Sequence, residues 1–313
     1  MQEQAKAAPP ASPPPAKATA PASAPASAPA APPRLFWSAP EGRARLFHGD
    51  SLAVLAALPA ESVDVIFADP PYFLSNGGMT CKAGKRASVD KGAWDQSRGV
   101  EENHEFNRAW LAACKRVLKP NGTIWVSGTG HVIYSVGYAM QQLGFKPLNE
   151  IVWEKPNPPP NLSCRYFTHA TESILWAARD RKSKHHFAYD AMRKLNGGTQ
   201  MKTVWRLTAP GKQEKLHGRH PTQKPLALLE RLLMASGAPG ALVLDPFNGS
   251  GTSGVAAARL GHSYIGIDLD AEYLDLTRRR LLAEHPHWDR QIAVPTAAPA
   301  VPAAGKPALH LVA

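Results

Sequence analysis

The stretch GALVLDPFNGSGTSGVAAARLGHSYIGIDLDAEYLDLTRRRLL, Gly240 to Leu282, reads as one continuous βαβ unit. Ala241–Leu244 is a short apolar run of the kind that forms a strand buried on both faces, and a glycine-rich turn follows it. Val255–Leu260 predicts a helix, SYIGID the next strand, ending on Asp268, and Ala271–Leu282 a second helix. Gly249, Gly251 and Gly254 fit the spacing G-x-G-x-x-G, and Asp268 lies roughly 20 residues on, where a carboxylate can meet ribose hydroxyls. Alone, that pattern suits a dinucleotide such as NAD. Two features favour another ligand. Asp245 stands immediately before the glycine turn and puts a carboxylate in the crevice. The unit also falls near the end of the folded chain, which leaves no strands for the second half of a dinucleotide domain.

A second strand end lies far upstream in DVIFADPPYFLSNGG, Asp64–Gly78. Val65, Ile66 and Phe67 read as another fully buried strand. Two consecutive prolines cannot continue a ladder, so the strand must stop at Asp69. A residue before proline is held extended, which makes Asp69-Pro70-Pro71-Tyr72 a stiff turn. It presents a carboxylate, the Pro70 carbonyl and an aromatic ring at a strand's carboxyl end, where open α/β sheets bind ligands. A Pro-Pro turn with a locally capping Asp is the plainer explanation, and the late glycine unit weighs against it.

Composition bounds the rest. The first 33 residues and those from about Pro286 to Ala313 are dominated by Ala and Pro, with little large apolar surface to offset ordering entropy, so both are expected to be disordered tails. The first lacks the apolar run of a secretory signal and the arginines of a transit peptide. The roughly 250 residues between them suit one α/β domain. No apolar stretch is long enough to span a bilayer. Cys81, Cys114 and Cys164 are far apart, form no C-x-x-C, and read as isolated thiols of a reducing compartment. No metal-ligand spacing is present, and the adjacent His185 and His186 lack a partner pair. A formal net charge of +11 points to a polyanionic partner. Basic residues collect in three runs, Cys81–Gly92, Arg179–His186 and Gly211–His220, which together favour contact with one shared anionic partner over three solvated loops. Upstream of the βαβ unit, HPTQKPLALLERLLMASG (His220–Gly237) places Pro225 in a first helical turn ahead of an apolar stripe of Leu226, Leu228, Leu229, Leu232 and Leu233.

With DPPY followed later by DPFNGSGT, the chain resembles the β group of DNA amino-methyltransferases, which use S-adenosylmethionine. FADPPYFLSNGG, HEFNRAW, PNLSCRYFTHATESILWA and HPTQKP look especially like the accessory adenine methyltransferases of DpnII-type restriction systems, which methylate GATC. The likeness covers about Arg34–Glu284, and the two Ala/Pro tails depart from it. It implies an α/β, Rossmann-like S-adenosylmethionine-dependent methyltransferase sheet with permuted motif order and an inserted DNA-recognition region, about residues 156–219, within a domain of residues 34–285.

By that resemblance Asp69, Pro70, Pro71 and Tyr72 form the catalytic motif. Asp245, Pro246, Phe247, Asn248, Gly249, Gly251 and Thr252 form the cofactor loop, Asp268 meets the ribose, Asp50 lies near the cofactor adenine, and Thr222, Gln223 and Lys224 border the methionine end. Candidate DNA contacts are Phe73, Lys82, Lys85, Arg86, Lys91, Arg165, Arg179, Lys182 and Lys184, with Tyr166, Phe167 and Trp205 as stacking aromatics. The implied partners are double-stranded DNA, a second copy of the chain and a cognate restriction nuclease, in the bacterial cytoplasm, with no membrane and no metal. The DPPY turn suits adenine N6, whose amine needs two acceptors on its two N–H bonds to localise the lone pair. Cytosine N4 needs the same clamp, though those enzymes more often carry Ser at the Asp69 position, and an NAD-dependent oxidoreductase is the more distant alternative.

Overall fold

The structure is a computed structural model that describes residues 32–75, 79–82, 85–88 and 95–289. Most of the two expected tails, residues 1–31 and 290–313, and Lys91 lie outside the described residues. In chain order the elements are β1 (Arg34–Ser38), β2 (Ala44–His48), α1 (Ser51–Ala57), β3 (Val63–Ala68), β4 (Met79–Lys82), β5 (Lys85–Ser88), α2 (Val100–Val117), β6 (Leu118–Gly128) and α3 (Ile133–Gln142). They continue with β7 (Lys146–Glu154), β8 (Thr171–Ala178), α4 (Tyr189–Leu195), β9 (Val204–Arg206), α5 (Leu226–Ser236), β10 (Leu242–Asp245), α6 (Thr252–Arg259), β11 (Ser263–Asp268) and α7 (Ala271–Glu284).

Nine strands form one sheet in the order β1-β2-β11-β10-β3-β6-β8-β7-β9, and β4 and β5 pair as a separate antiparallel hairpin. From β2 through β11, β10 and β3 to β6 every neighbour is parallel, so these strands end on the same edge. β8 runs antiparallel between β6 and β7. The βαβ unit closes in the middle of the sheet, where β10 pairs with β11 on one side and β3 on the other. The last strands of the chain are thereby set against one of the first, which is how motifs about 180 residues apart meet.

Both faces are covered, and alternation along the strands divides the core in two. Val65, Phe67 and Val243 pack with α5, α6 and α7, where Leu228, Leu229, Leu232 and Leu233 are fully buried. Ile66, Ala68 and Leu244 pack on the other face with Val54 and Leu55 of α1, Trp110 and Leu111 of α2 and Val136 of α3. Across the β6–β8 pair Trp125 and Trp176 stack with centroids 4.5 Å apart. Asp64 pins the bottom of the sheet. It accepts from Lys119 Nζ at 2.8 Å and from the amide of Leu242 at 2.9 Å, tying β3 to the starts of β6 and β10.

Several boundaries differ from the sequence reading. The helix after the glycine turn starts at Thr252, three residues before the apolar run, because the turn's φ-positive Gly251 is itself the helix cap. Pro225 is the residue before α5 and not its first turn. At the carboxyl end Pro286–Asp289 form a helical turn whose Trp288 is buried against the core, so the described fold runs past residue 285. Residues 156–219 are not a separable insertion, since β8 is an interior strand of the main sheet. Among the described residues no helix is long and apolar enough to cross a membrane.

Removing the Leu232 side chain should show how much the α5 stripe holds. Leu232→Ala is expected to cost about 2–5 kcal/mol in a denaturant titration, with an unchanged m-value.

Candidate active site

The common edge of the parallel strands carries one aspartate per strand end: Asp50 after β2, Asp268 at the end of β11, Asp245 at the end of β10 and Asp69 after β3. All four line a cleft of about 280 Å³. That is close to the lower end, about 300 Å³, of small-molecule sites.

The Asp69–Tyr72 turn is held from two sides. Tyr72 is buried, and its hydroxyl donates to Asp69 Oδ1 at 2.7 Å and lies 3.2 Å from Ser127 Oγ at the end of β6. Burial, followed by the charges of Asp69 and Glu172, pushes the Tyr72 phenol well above its ordinary value, so it stays a hydrogen-bond donor. Lys224 Nζ donates to Asp69 Oδ2 at 2.5 Å and lies 5.4 Å from the centre of the Tyr72 ring. From below, the fully buried carboxylate of Asp95 accepts from the amides of Tyr72 and Phe73, both at 2.8 Å, from the amide of Leu74 at 3.2 Å and from Ser75 Oγ at 2.9 Å. Converging amides hold Phe73 at φ +57°, a left-handed conformation that a bulky residue adopts only when its surroundings impose it.

The glycine turn is equally constrained. Gly251 has φ +68°, and a Cβ there would come within 2.3 Å of Thr277 on α7, so the position requires glycine on both grounds. Asn248 is locked by Thr277 Oγ1 at 2.8 Å and by the Tyr264 hydroxyl at 2.8 Å. Asp245 accepts from the Phe247 amide at 3.0 Å and from Ser253 Oγ, and Asp268 accepts from the Gly249 amide at 2.7 Å and the Asp270 amide at 2.9 Å. Burial dominates both carboxyls, raising Asp245 to about 7 and Asp268 to about 6 despite those donors. Asp50 caps α1 by accepting from Ala53, and Ser51 Oγ donates to the Pro246 carbonyl, joining the β2 end to the glycine turn. Phe247 stands edge-on to Trp110, with centroids 5.3 Å apart.

Thr222, Gln223 and Lys224 all line the cleft, with Gln223 and Lys224 buried and Gln223 Nε2 donating to the Glu214 carbonyl at 2.9 Å. Pro70, Pro71, Pro246, Asn248, Gly249 and Thr252 line it too.

The proposed DNA residues do not gather in one place. Phe73 is half-buried, edge-on to Phe106 at 5.9 Å. Lys82, Lys85 and Arg86 belong to the β4–β5 hairpin. Arg165 is exposed beside Tyr166 and Phe167 on the loop that enters β8 from the sheet edge holding the cleft. Arg179, Lys182 and Lys184 are elsewhere. Because β8 runs against β6, with Ser173 opposite Gly128 and Ala178 opposite Thr123, the residues after β8 emerge at the opposite edge of the sheet. There Arg179 pairs with Glu61 at 2.6 Å. Trp205 is core, with Nε1 donating to the Lys202 carbonyl at 2.7 Å. Sequence reading missed Asp95, Ser127 and Glu172. The last lies 3.6 Å from Lys224 and also pairs with Lys155. A carboxylate 26 residues past Asp69 in a polar stretch carries no local pattern that would have singled it out.

A Rossmann-like sheet with a glycine turn set between two acids, beside an Asp-Pro-Pro-Tyr turn, is the architecture of S-adenosylmethionine-dependent methyltransferases acting on amino groups. Comparison with known proteins narrows the class. Residues 63–279 match a family model described as DNA methylase, of the N6/N4 type. The chain is 57% identical over 241 residues to the Type II methyltransferase M2.DpnII of Streptococcus pneumoniae, covering 77% of this chain and 90% of that protein. It is 48% identical over 245 residues to M2.MboI of Moraxella bovis, covering 78% and 90%. Among solved structures, the M1.HpyAVI–SAM complex superposes with a TM-score of 0.55 at 26% identity, covering 76% of this chain and 99% of that one. The PvuII cytosine-N4-specific DNA methyltransferase superposes at 0.63 with 18% identity, over 79% and 88%, which speaks for the fold alone. The chain belongs to the DNA methylase family, and it is a DNA methyltransferase dependent on S-adenosylmethionine.

The raised Asp245 has a measurable signature. Its folded form keeps a proton that the unfolded chain releases near 3.8, so its contribution to stability is full below about pH 4 and is lost as pH rises through about 7. Asp245→Asn should therefore flatten the decline in Tm of the cofactor-free protein between pH 5 and pH 8. An identical slope in wild type and variant would contradict the assignment.

Proposed function

We propose that the chain transfers a methyl group to the N6 amine of an adenine flipped out of duplex DNA, within a short adenine-containing site such as GATC. The observation that carries this reading is the fixed carboxylate of Asp69 beside the cofactor cleft, with one oxygen on Tyr72 and the other on Lys224.

The cleft suits S-adenosylmethionine. Its acids match a sulfonium and an ammonium group, and Gly249 of the glycine turn lines it. Asp268 would take the ribose hydroxyls, Asp50 the adenine side, and Asp245 the cationic end, with Phe247 as an apolar wall. When bound, the cofactor supplies the electrophilic methyl group.

The chain's own residues do the rest. Asp69 and the Pro70 carbonyl accept the two N–H bonds of the amine, which frees its lone pair and fixes its direction of attack. The amine proton released on transfer goes to Asp69 or to water. Tyr72 orients Asp69 through its hydroxyl and offers its ring for stacking to the flipped base, whose extrusion costs a few kcal/mol. Asp95 supports all of this by holding the turn's amides. Asp at position 69, where cytosine-N4 enzymes more often have Ser, favours adenine. A homodimer, a cognate restriction nuclease as partner, and action on the nucleoid in the bacterial cytoplasm follow from the family likeness and complete the reading.

The test is methyl transfer from labelled S-adenosylmethionine to unmethylated bacterial DNA, with digestion to nucleosides and mass spectrometry. Wild type should produce N6-methyladenine, and Asp69→Ala should lose at least about 100-fold in rate. N4-methylcytosine would overturn the base assignment. Asp95→Ala, which strips the acceptor from three amides, should fall almost as far while keeping its circular dichroism spectrum.

A further inference from the structure

Glu172 is half-buried beside the Asp69–Tyr72 turn, and none of the roles above uses it. Its carboxylate lies 3.6 Å from Lys224 Nζ on one side and forms an ion pair with Lys155 on the other. Lys224 in turn donates to Asp69 Oδ2. Side-chain exposure is 13% for Asp69, 6% for Lys224, 12% for Glu172 and 24% for Lys155, so the four charges form a chain from the cleft toward solvent. Removing one member of a buried set leaves its neighbour uncompensated, so such chains hold their geometry as a unit.

The placement of the two outer members gives the chain a purpose. Lys155 directly follows β7, and Glu172 is the second residue of β8, opposite Trp153. The backbone agrees, with the Lys155 amide donating to the Ala170 carbonyl at 2.7 Å. Together they close the neck of the loop 156–170, which carries exposed Arg165, Tyr166 and Phe167 and enters β8 on the sheet edge that holds the cleft. Phe167 is 97% exposed, an apolar ring left to a partner.

We infer that Glu172 is a positioning residue that couples this loop to the methyl-transfer site: it is clamped at the loop's neck by Lys155 and holds Lys224 against Asp69. The inference rests on the function proposed above. When the loop engages DNA, its neck is kept in register with the carboxylate that receives the flipped amine. Glu172 touches neither base nor cofactor in this scheme and acts only through Lys224. The charged and titratable groups facing Lys224 are Asp69 and Tyr72 from the turn after β3 and Glu172 from β8. Burial pulls the Lys224 ammonium down, and the two carboxylates outweigh it and keep it raised.

The experiment is single-turnover methyl transfer to unmethylated duplex DNA across pH, for wild type, Glu172→Gln, Glu172→Asp, Lys155→Gln and the double variant Lys155→Gln/Glu172→Gln. Affinities for S-adenosylhomocysteine and duplex are measured beside it. Glu172→Gln should slow the transfer step at least about 10-fold while both affinities stay within about threefold. An alkaline limb should appear at lower pH than in wild type, because Lys224 then keeps one carboxylate in place of two. Glu172→Asp should recover part of the rate, and the double variant should be no slower than Glu172→Gln. A Glu172→Gln enzyme at the wild-type rate, or one whose loss is matched by lost affinity with an unmoved alkaline limb, would overturn the inference alone. A wild type that methylates no DNA would overturn the proposed function and this inference with it.

Discussion

Crowding of negative charge along one edge of the sheet is the constraint to which most of the structure answers. Parallel strands β2, β11, β10 and β3 bring Asp50, Asp268, Asp245 and Asp69 to the same cleft. Like charges in a partly desolvated space raise one another's proton affinity. Each aspartate is met differently. Asp50 caps a helix, Asp268 takes two backbone amides, Asp245 takes an amide and a serine hydroxyl, and Asp69 alone is given a full counter-charge. Burial still leaves Asp245 and Asp268 raised, to about 7 and about 6. An edge of that kind is complementary to a cationic ligand and hostile to a pyrophosphate, which suits S-adenosylmethionine better than a dinucleotide.

Rigidity at the Asp69 carboxylate comes from outside the motif that contains it. Prolines stop β3 and limit the turn, but its direction is set by Asp95, by Ser127 across the sheet and by Lys224 from 155 residues away. The Phe73 backbone at φ +57° records how strongly those contacts determine the path. Strain of about 1–3 kcal/mol at such a residue persists only where the surroundings hold it.

What could be read from the sequence was what is local. Val65–Phe67, the Asp-Pro-Pro-Tyr stop, the glycine turn and the strand ending on Asp268 each announce themselves through apolar runs, prolines or glycine spacing, and the fold has each as a strand or as the turn that ends one. Pairings across long separations left no such trace. Asp95 sits in a polar stretch with no periodicity and Glu172 at the start of the apolar strand β8, and only the folded chain brings them to Tyr72 and Lys224. Basic runs misled for the same reason. Arg179–His186 looked like part of a DNA face, but the antiparallel direction of β8 sends it to the far edge of the sheet. Trp205 looked like a stacking ring and is buried against α5, with Arg231 over its face at 5.0 Å. Charge and aromaticity report composition, whereas the edge on which a residue emerges depends on strand direction, which no short window contains.

Under the proposed function the cleft has a cofactor half around Asp268 and an amine half around Asp69. Calorimetric titration of S-adenosylhomocysteine into wild type, Asp268→Asn and Asp69→Asn tests that division most directly. Affinity should fall at least about 10-fold in Asp268→Asn, in keeping with a lost pair of charge-assisted hydrogen bonds, and should stay near wild type in Asp69→Asn. Equal loss in both variants, or undiminished binding in Asp268→Asn, would contradict it.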